Sequence, residues 1–140
     1  MVATMRLIFA FQIIFLANLA NAKSITQEDL TGTWIPSGEM PRESGISNYT
    51  LTINNNLSAK YDAIETNTEL DCIYKPSHSQ NSIFVYYCYL GKNHLITLAL
   101  GGWVSASGYK QLYGYEYWLG HPTQGQIHGG LPVSLTKSNT

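Results

Sequence analysis

Short segments in which apolar and polar residues alternate constrain the fold of this chain more than any other feature of its sequence. In residues 48–53 the apolar side chains are Tyr49, Leu51 and Ile53, one at every second position. Residues 57–64 repeat the pattern. A period of two residues is typical of strands that bury one face. No stretch after residue 22 keeps a helical period over three turns, so the sequence predicts an all-β protein.

Six more segments complete the set of expected strands. They are the residues around Trp34 and residues 69–74, 83–90, 94–100, 109–119 and 131–136. Only residues 26–30 look like a helical turn, with Thr26 in the position of an N-cap. Short connections without crossover helices favour an antiparallel meander of about eight strands. Closure into a small up-and-down barrel would remove the exposed sheet edges. A two-sheet β-sandwich is the alternative.

The turn between the first two alternating segments determines which residues pair. A two-residue turn at 55–56 would pair Ile53 with Ser58 and set apolar against polar side chains. A three-residue turn at 54–56 pairs Ile53 with Leu57 and keeps both apolar faces together. Asn tolerates the left-handed conformation that such a turn needs. We therefore expect the three-residue turn at 54–56.

The first 22 residues have the features of a secretory signal peptide. Arg6 is their only charged residue, and an apolar run at residues 7–16 follows it. Small residues at Ala20 and Ala22 are typical of a cleavage site. The run is too short for the ~20 residues that a membrane span needs. The sequence predicts cleavage after Ala22, a secreted or periplasmic location, and a single domain at residues 23–140 with no membrane segment.

Two cysteines, Cys72 and Cys88, are present in the whole chain. An even pair in an exported protein is typical of a disulfide. Both lie in strand-like segments that the polar residues 75–81 separate. A hairpin centred near Gln80 would place the two cysteines opposite each other. The bridge would close a ring of about 15 residues and stabilise the fold by about 3 kcal/mol.

The segment Asp29-Leu30-Thr31-Gly32-Thr33-Trp34 resembles the start of lipocalin-like proteins, which are small β-barrels of the calycin type. These proteins open with a short helical turn, and Gly-x-Trp then enters the first barrel strand. Here Gly32 and Trp34 match that motif. The resemblance implies that Trp34 closes one end of the barrel beneath a basic residue of the last strand. Lys137 would take this place, where the family more usually has Arg.

No group of residues predicts catalysis, a metal site or a cofactor. The histidines, none of which pairs at metal-ligand spacing, are His78, His94, His121 and His128. Gly-x-Ser-x-Gly does not occur. Glu69 and Asp71 share one strand face, as some glycosidase carboxylates do, but a solvated face explains them better. Seven Lys and Arg against nine Asp and Glu after residue 22, without a basic run, argue against nucleic-acid binding.

The strongest functional feature is a row of aromatic residues. Tyr113, Tyr115 and Tyr117 lie at alternate positions of one expected strand, with Trp118 on the opposite face. Tyr is common at recognition surfaces because its ring and hydroxyl offer contacts at little entropic cost. The alternative is cross-strand packing, which also uses aromatic pairs. Tyr87 and Tyr89 lie at alternate positions of another strand.

These patterns together predict an exported, non-enzymatic binding protein. We expect it to bind or inhibit a protein partner, as inhibitors and immunity proteins do, with Tyr113, Tyr115 and Tyr117 as the candidate binding face. The first alternative is a lipocalin-like carrier of a small apolar ligand, with Tyr49, Tyr61 and their neighbours at the barrel mouth. The second alternative is a small exported hydrolase.

Overall fold

The structure, a computed structural model, describes residues 22–37, 49–63, 67–79, 82–119 and 130–139. The strands in these ranges are β1 (Lys23–Ser24), β2 (Gly32–Pro36), β3 (Tyr49–Ile53), β4 (Ala59–Ala63), β5 (Thr68–Tyr74), β6 (Phe84–Leu90), β7 (Asn93–Val104), β8 (Lys110–Trp118) and β9 (Leu131–Lys137). The helical turn α1 (Gln27–Leu30) precedes β2, and a 3-10 turn (Pro76–His78) precedes β6.

Strands β2 to β9 form a closed barrel. Each strand pairs antiparallel with the next one in the chain, and β9 pairs with β2 to complete the circle. The predicted all-β class and the eight-strand antiparallel barrel are therefore confirmed, and the described strands form one sheet instead of two. The architecture is compatible with a lipocalin-like barrel. Closure leaves these eight strands without a lateral edge, whereas β1 pairs only with β7 among the described strands.

One face of each barrel strand fills the interior. Tyr49, Leu51 and Ile53 are each at most 4% exposed, as their alternation predicts. The largest fully buried side chains of the core are those of Trp34, Tyr61 and Tyr86. Most of the alternate residues of these strands are partly or fully exposed, with Gln111 and Ser134 as buried exceptions. The period of two in the sequence therefore reports the inner and outer walls of the barrel.

The predicted pairing of the β3–β4 hairpin is wrong by two residues. Ile53 pairs with Ala59 instead of Leu57, and the three-residue turn lies at 55–57. The left-handed position is taken by Leu57, with φ of 68°, and not by an asparagine. Two interactions account for this: Leu57 packs against the core, and the Asn56 side chain accepts the backbone N–H of Ser58 at 3.0 Å. The two-residue shift keeps every side chain on its expected face.

The predicted disulfide between Cys72 and Cys88 is confirmed. The two residues face each other in the β5–β6 pair, with 4.0 Å between their Cα atoms. Both side chains point into the barrel and are at most 2% exposed. A bridge between buried neighbours is typical of a structural disulfide, and it is consistent with an oxidising compartment.

Two predictions fall on residues that the structure does not describe. The predicted signal peptide lies outside the described residues, except for its last residue, Ala22. Residues 38–48 and 120–129, which include His121 and His128, also lie outside them. Across the described ranges, no helix is both long enough and apolar enough to span a membrane.

Candidate functional site

The barrel has two distinguishable ends. At the closed end, α1 leads into β2 and β9 terminates. At the other end, which we call the loop end, β2 and β8 terminate. Trp34 of β2 is completely buried and pairs with Lys137 of β9. Its Nε1 donates a hydrogen bond to the carbonyl of Leu30 in α1 at 2.7 Å.

Lys137 lies above Trp34 and ties the last strand to the first helical turn. Its Nζ is 5.6 Å from the Trp34 ring centre, within cation–π range. The same ammonium donates to the carbonyl of Asp29 at 2.9 Å. Gly32 has φ of 132°, and a Cβ there would lie 2.7 Å from Cε of Lys137. The glycine of the Gly-x-Trp motif therefore gives the lysine stem room to cross the barrel end.

A second lysine completes the charge balance at this end. Lys110 Nζ lies 3.1 Å from Oδ1 of Asp29. Burial raises the pKa of Asp29, but hydrogen bonds from Thr26 and Lys110 outweigh it and hold the pKa below its ordinary value. Burial, followed by the repulsion of Lys110, lowers the pKa of Lys137. Lys110 and Lys137 both bond to Asp29, so they tie β8 and β9 to α1. We call Trp34, Asp29, Lys110 and Lys137 the structural clasp of the closed end.

The three tyrosines of the predicted binding row project from the outer wall. We call Tyr113, Tyr115 and Tyr117 the tyrosine face, and their side chains are 43%, 52% and 37% exposed. Tyr115 lies between two small neighbours, Ala99 on β7 and Pro132 on β9. Thr97 and Gly101 take the corresponding β7 positions beside the other two tyrosines. The rings therefore project beyond neighbouring side chains that are short and uncharged.

A second aromatic cluster lies on the outer wall across β7. The His94 ring stacks on Tyr87 and Tyr89, with centroid distances of 4.2 and 5.0 Å. Its Nε2 lies 3.1 Å from the carbonyl of Ile96. Burial lowers the pKa of His94, which favours the neutral ring at pH 7. The sequence pattern indicated the two tyrosines, but the histidine joins them through a β-bulge between Cys88 and Tyr89 that the pattern does not reveal.

Sequence reasoning missed a buried carboxyl near the loop end. Glu116 is fully buried, and the Tyr61 hydroxyl donates to its Oε1 at 3.2 Å. The Tyr49 ring stacks on Tyr61 with centroids 4.2 Å apart. Within the described part of the chain, Glu116 Oε2 and the Tyr49 hydroxyl have no hydrogen-bond partner. Burial raises the pKa of Glu116 to about 7, and hydrogen bonds from Trp118 and Tyr61 offset this only in part.

The alternation of inward and outward residues along β8 could have revealed that Glu116 is buried. Because Tyr115 and Tyr117 point outward, Glu116 between them has to point inward. Burial also concerns the two tyrosines that the small-ligand alternative places at the barrel mouth. Tyr49 and Tyr61 are both nearly inaccessible and pack against each other, so these residues are part of the core.

The remaining candidates for chemistry are ordinary surface groups. Glu69 and Asp71 both form ion pairs with Lys60, and all three side chains are well exposed. No cluster of three potential His, Cys, Asp or Glu metal ligands occurs among the described residues. His78 lies 5.5 Å from the Tyr87 ring centre. Both carboxylates are solvent-exposed, whereas catalytic acids are usually placed in a cleft.

Comparisons of this chain with protein-family models, with curated proteins and with solved structures find no match. The similarity to lipocalin-like proteins therefore rests on the start motif and on the barrel architecture.

Proposed function

We propose that this protein is an exported binding protein that recognises a protein partner through the tyrosine face. The observation that carries the proposal is the exposure of Tyr113, Tyr115 and Tyr117 on a strand whose other face buries Leu112 and Glu116. Core packing does not account for side chains that project into solvent. A row of large aromatic side chains at the surface is typical of interaction sites.

The physical properties of the face suit a protein partner. A β-barrel wall fixes the backbone positions from which the three rings project, so binding would cost little backbone entropy. Tyr combines a large apolar ring with a hydroxyl, which lets it contact both apolar and polar groups of a partner. The neighbouring positions on β7 and β9 are uncharged. Binding would therefore not require the desolvation of lysines or carboxylates beneath the rings.

Glu116 supports a second candidate, a small-ligand carrier, but changes the ligand that it would hold. Among the described residues, the polar atoms inside the barrel that lack a hydrogen-bond partner include one carboxyl oxygen of Glu116 and the Tyr49 hydroxyl. Buried unpaired polar groups are costly and call for a partner. A ligand at this position would need a hydrogen-bond donor or a positive charge, so a purely apolar ligand is disfavoured there.

A capture experiment tests the tyrosine face. The tagged wild-type protein and a Tyr115→Ala/Tyr117→Ala variant are exposed to proteins exported by the producing cell and by competing cells. Any captured protein is purified, and its affinity for each variant is measured by calorimetry. We expect the double substitution to weaken binding at least about tenfold, as loss of aromatic hot spots does. Thermal unfolding should change little because both side chains are exposed.

Ile73→Ala is the matched control. Ile73 is 55% exposed on the outer wall of β5, almost the same as Tyr115, but lies outside the tyrosine face. This substitution should leave the affinity unchanged. A purified partner that binds the tyrosine variant as tightly as the wild type would contradict the proposal.

A further inference from the structure

A groove lies at the closed end of the barrel, away from the tyrosine face. Its volume is about 360 Å³, near the lower limit for small ligand sites. One wall is the segment 24–27, and the other includes Tyr74, Pro76, Ser82 and Ile83. The Gln27 side chain donates to the Tyr74 hydroxyl at 3.2 Å and joins the two walls.

The groove exists because β1 replaces β6 along the edge of β7. The β6–β7 pairing reaches Phe84, opposite Leu100, and β1 continues on the same edge with Ser24 opposite Trp103. Beyond the last residues of β5, no further strand covers the other edge of β1 in the described part of the chain. The position that a prolonged β5 would occupy is therefore a short slot beside β1.

The backbone of Ser24 faces this slot. The N–H of Ile25 donates to the carbonyl of Gly102 at 3.0 Å. In an antiparallel pair, residues that exchange hydrogen bonds alternate with residues that do not. Because Ile25 bonds to β7, Ser24 presents its N–H and C=O on the opposite side. An N–H and a C=O along an uncovered strand edge are the groups that an added strand pairs with.

The lining of the groove is neutral. It combines hydroxyl and amide side chains, such as those of Ser24, Gln27 and Ser82, with apolar ones, such as those of Ile83 and Phe84. None of the described lining residues is charged at pH 7. Ile83 is 52% exposed at the rim. Such a lining suits uncharged side chains and disfavours an ionic ligand, which would lose its hydration without a counter-charge.

We propose that this groove binds a short, uncharged, extended peptide segment, which adds to the outer edge of β1 as an extra strand. The segment donates to the Ser24 carbonyl and accepts from the Ser24 N–H, while one of its side chains contacts Ile83. A two-residue edge is only about 7 Å long at the strand rise of ~3.3 Å per residue. Two or three peptide residues are therefore engaged, and affinity is in the range of weak complexes.

The test uses a defined probe, the blocked peptide acetyl-Thr-Val-Thr-Val-amide, titrated into isotope-labelled protein and followed by nuclear magnetic resonance. We expect saturable shifts of the Ser24, Ser82 and Ile83 amides and protection of the Ser24 amide from hydrogen exchange. Ser24→Pro removes the edge N–H without removing a bond to β7, and it should weaken binding about tenfold. Ser24→Ala keeps the N–H and should bind as the wild type does.

A change in the probe keeps the test decisive if Ser24→Pro disturbs the fold. The same peptide with all four residue nitrogens methylated lacks the main-chain N–H donors of both registers, so it should bind about tenfold more weakly. Tyr115→Ala should leave peptide binding unchanged, which separates this groove from the tyrosine face. Equal affinity for the methylated peptide, absence of saturable shifts, or shifts only with the neutral sugar maltose would each overturn the proposal.

Discussion

The two ends of the barrel differ in how their ionisable side chains are paired. At the closed end, Lys137 donates to a backbone carbonyl of α1 and lies over the Trp34 ring, while Asp29 pairs with Lys110. Near the loop end, Glu116 is fully buried and its Oε2 has no partner among the described residues. The first end is a completed network, and the second is an incomplete one.

The difference follows from what each element brings to the interior. The turn α1 lies across the closed end and supplies main-chain carbonyls and a carboxylate beside the lysines. Glu116 meets the walls of other strands, whose main-chain groups are already used in the barrel. Only side chains such as Tyr61 can reach it. A buried polar group stabilises a fold only when its partners are present, and otherwise its desolvation is a net cost.

Trp34→Ala should give the largest loss of stability and would test the closed end. Trp34 is completely buried, and its indole also bonds to Leu30. We expect a loss of about 3–5 kcal/mol in the free energy of unfolding, measured by urea denaturation. Trp103→Ala, on the outer wall of β7, is the control and should cost much less. A loss below about 1 kcal/mol for Trp34→Ala would show that the clasp is not central to stability.

Because of Glu116, the free energy of unfolding should fall as the pH rises. A paired carboxylate, whose pKa is lowered by folding, has the opposite effect. Burial raises the folded pKa of Glu116 to about 7 from an ordinary value of 4.5. Between these values the unfolded chain releases the proton while the folded protein retains it. Stability should therefore be highest near the lower value, fall by about 3 kcal/mol as the pH rises to about 7, and level off above it.

The variant Glu116→Gln isolates this contribution. It keeps a hydrogen-bond acceptor for Tyr61 but does not titrate, so denaturation midpoints of variant and wild type should diverge as the pH rises. His94 has a lowered pKa and acts in the opposite direction. It is present in both proteins, and its effect cancels in their difference. Parallel pH profiles for the two proteins would show that folding does not raise the pKa of Glu116.

Lys137→Met should have the smallest effect of the three. The substitution retains the apolar stem beside Gly32 but removes the bond to the Asp29 carbonyl and the cation above Trp34. We expect a loss of about 1–2 kcal/mol by thermal or urea unfolding. Lys137→Arg keeps the charge and can stack its planar group on the indole, so it should restore stability. An equal loss with Arg would mean that steric fit at this end matters more than charge.

The sequence predicts the barrel because inward and outward residues alternate along its strands. It also predicts the disulfide, since the polar segment between Cys72 and Cys88 centres a hairpin that sets them opposite each other. The β3–β4 pairing was missed because packing of Leu57 against the core and a hydrogen bond from Ser58 to Asn56 moved the turn by one residue. Local preference for Asn at the left-handed position was weaker than these two interactions.

Parts of the candidate sites depend on contacts between distant segments. The outward direction of Tyr115 follows from local alternation, and the same rule places Glu116 inside. That Glu116 meets Tyr61, which is 55 residues away, requires the complete barrel. The groove depends on β1 pairing with β7, about which a two-residue strand carries no local signal. The composition of a segment cannot reveal which distant segment covers it.

The pairing of β2 with β9 also determines how this chain has to fold. It joins Trp34 to Lys137, near the two extremes of the described chain. Similarly, β1 can pair only after β7 is present. Neither contact can form until most of the polypeptide is available. Folding should therefore be slow and all-or-none, as in other proteins dominated by non-local strand pairing. A chain shortened before β9 would expose two unpaired strand edges, on β2 and β8, and would be prone to aggregate.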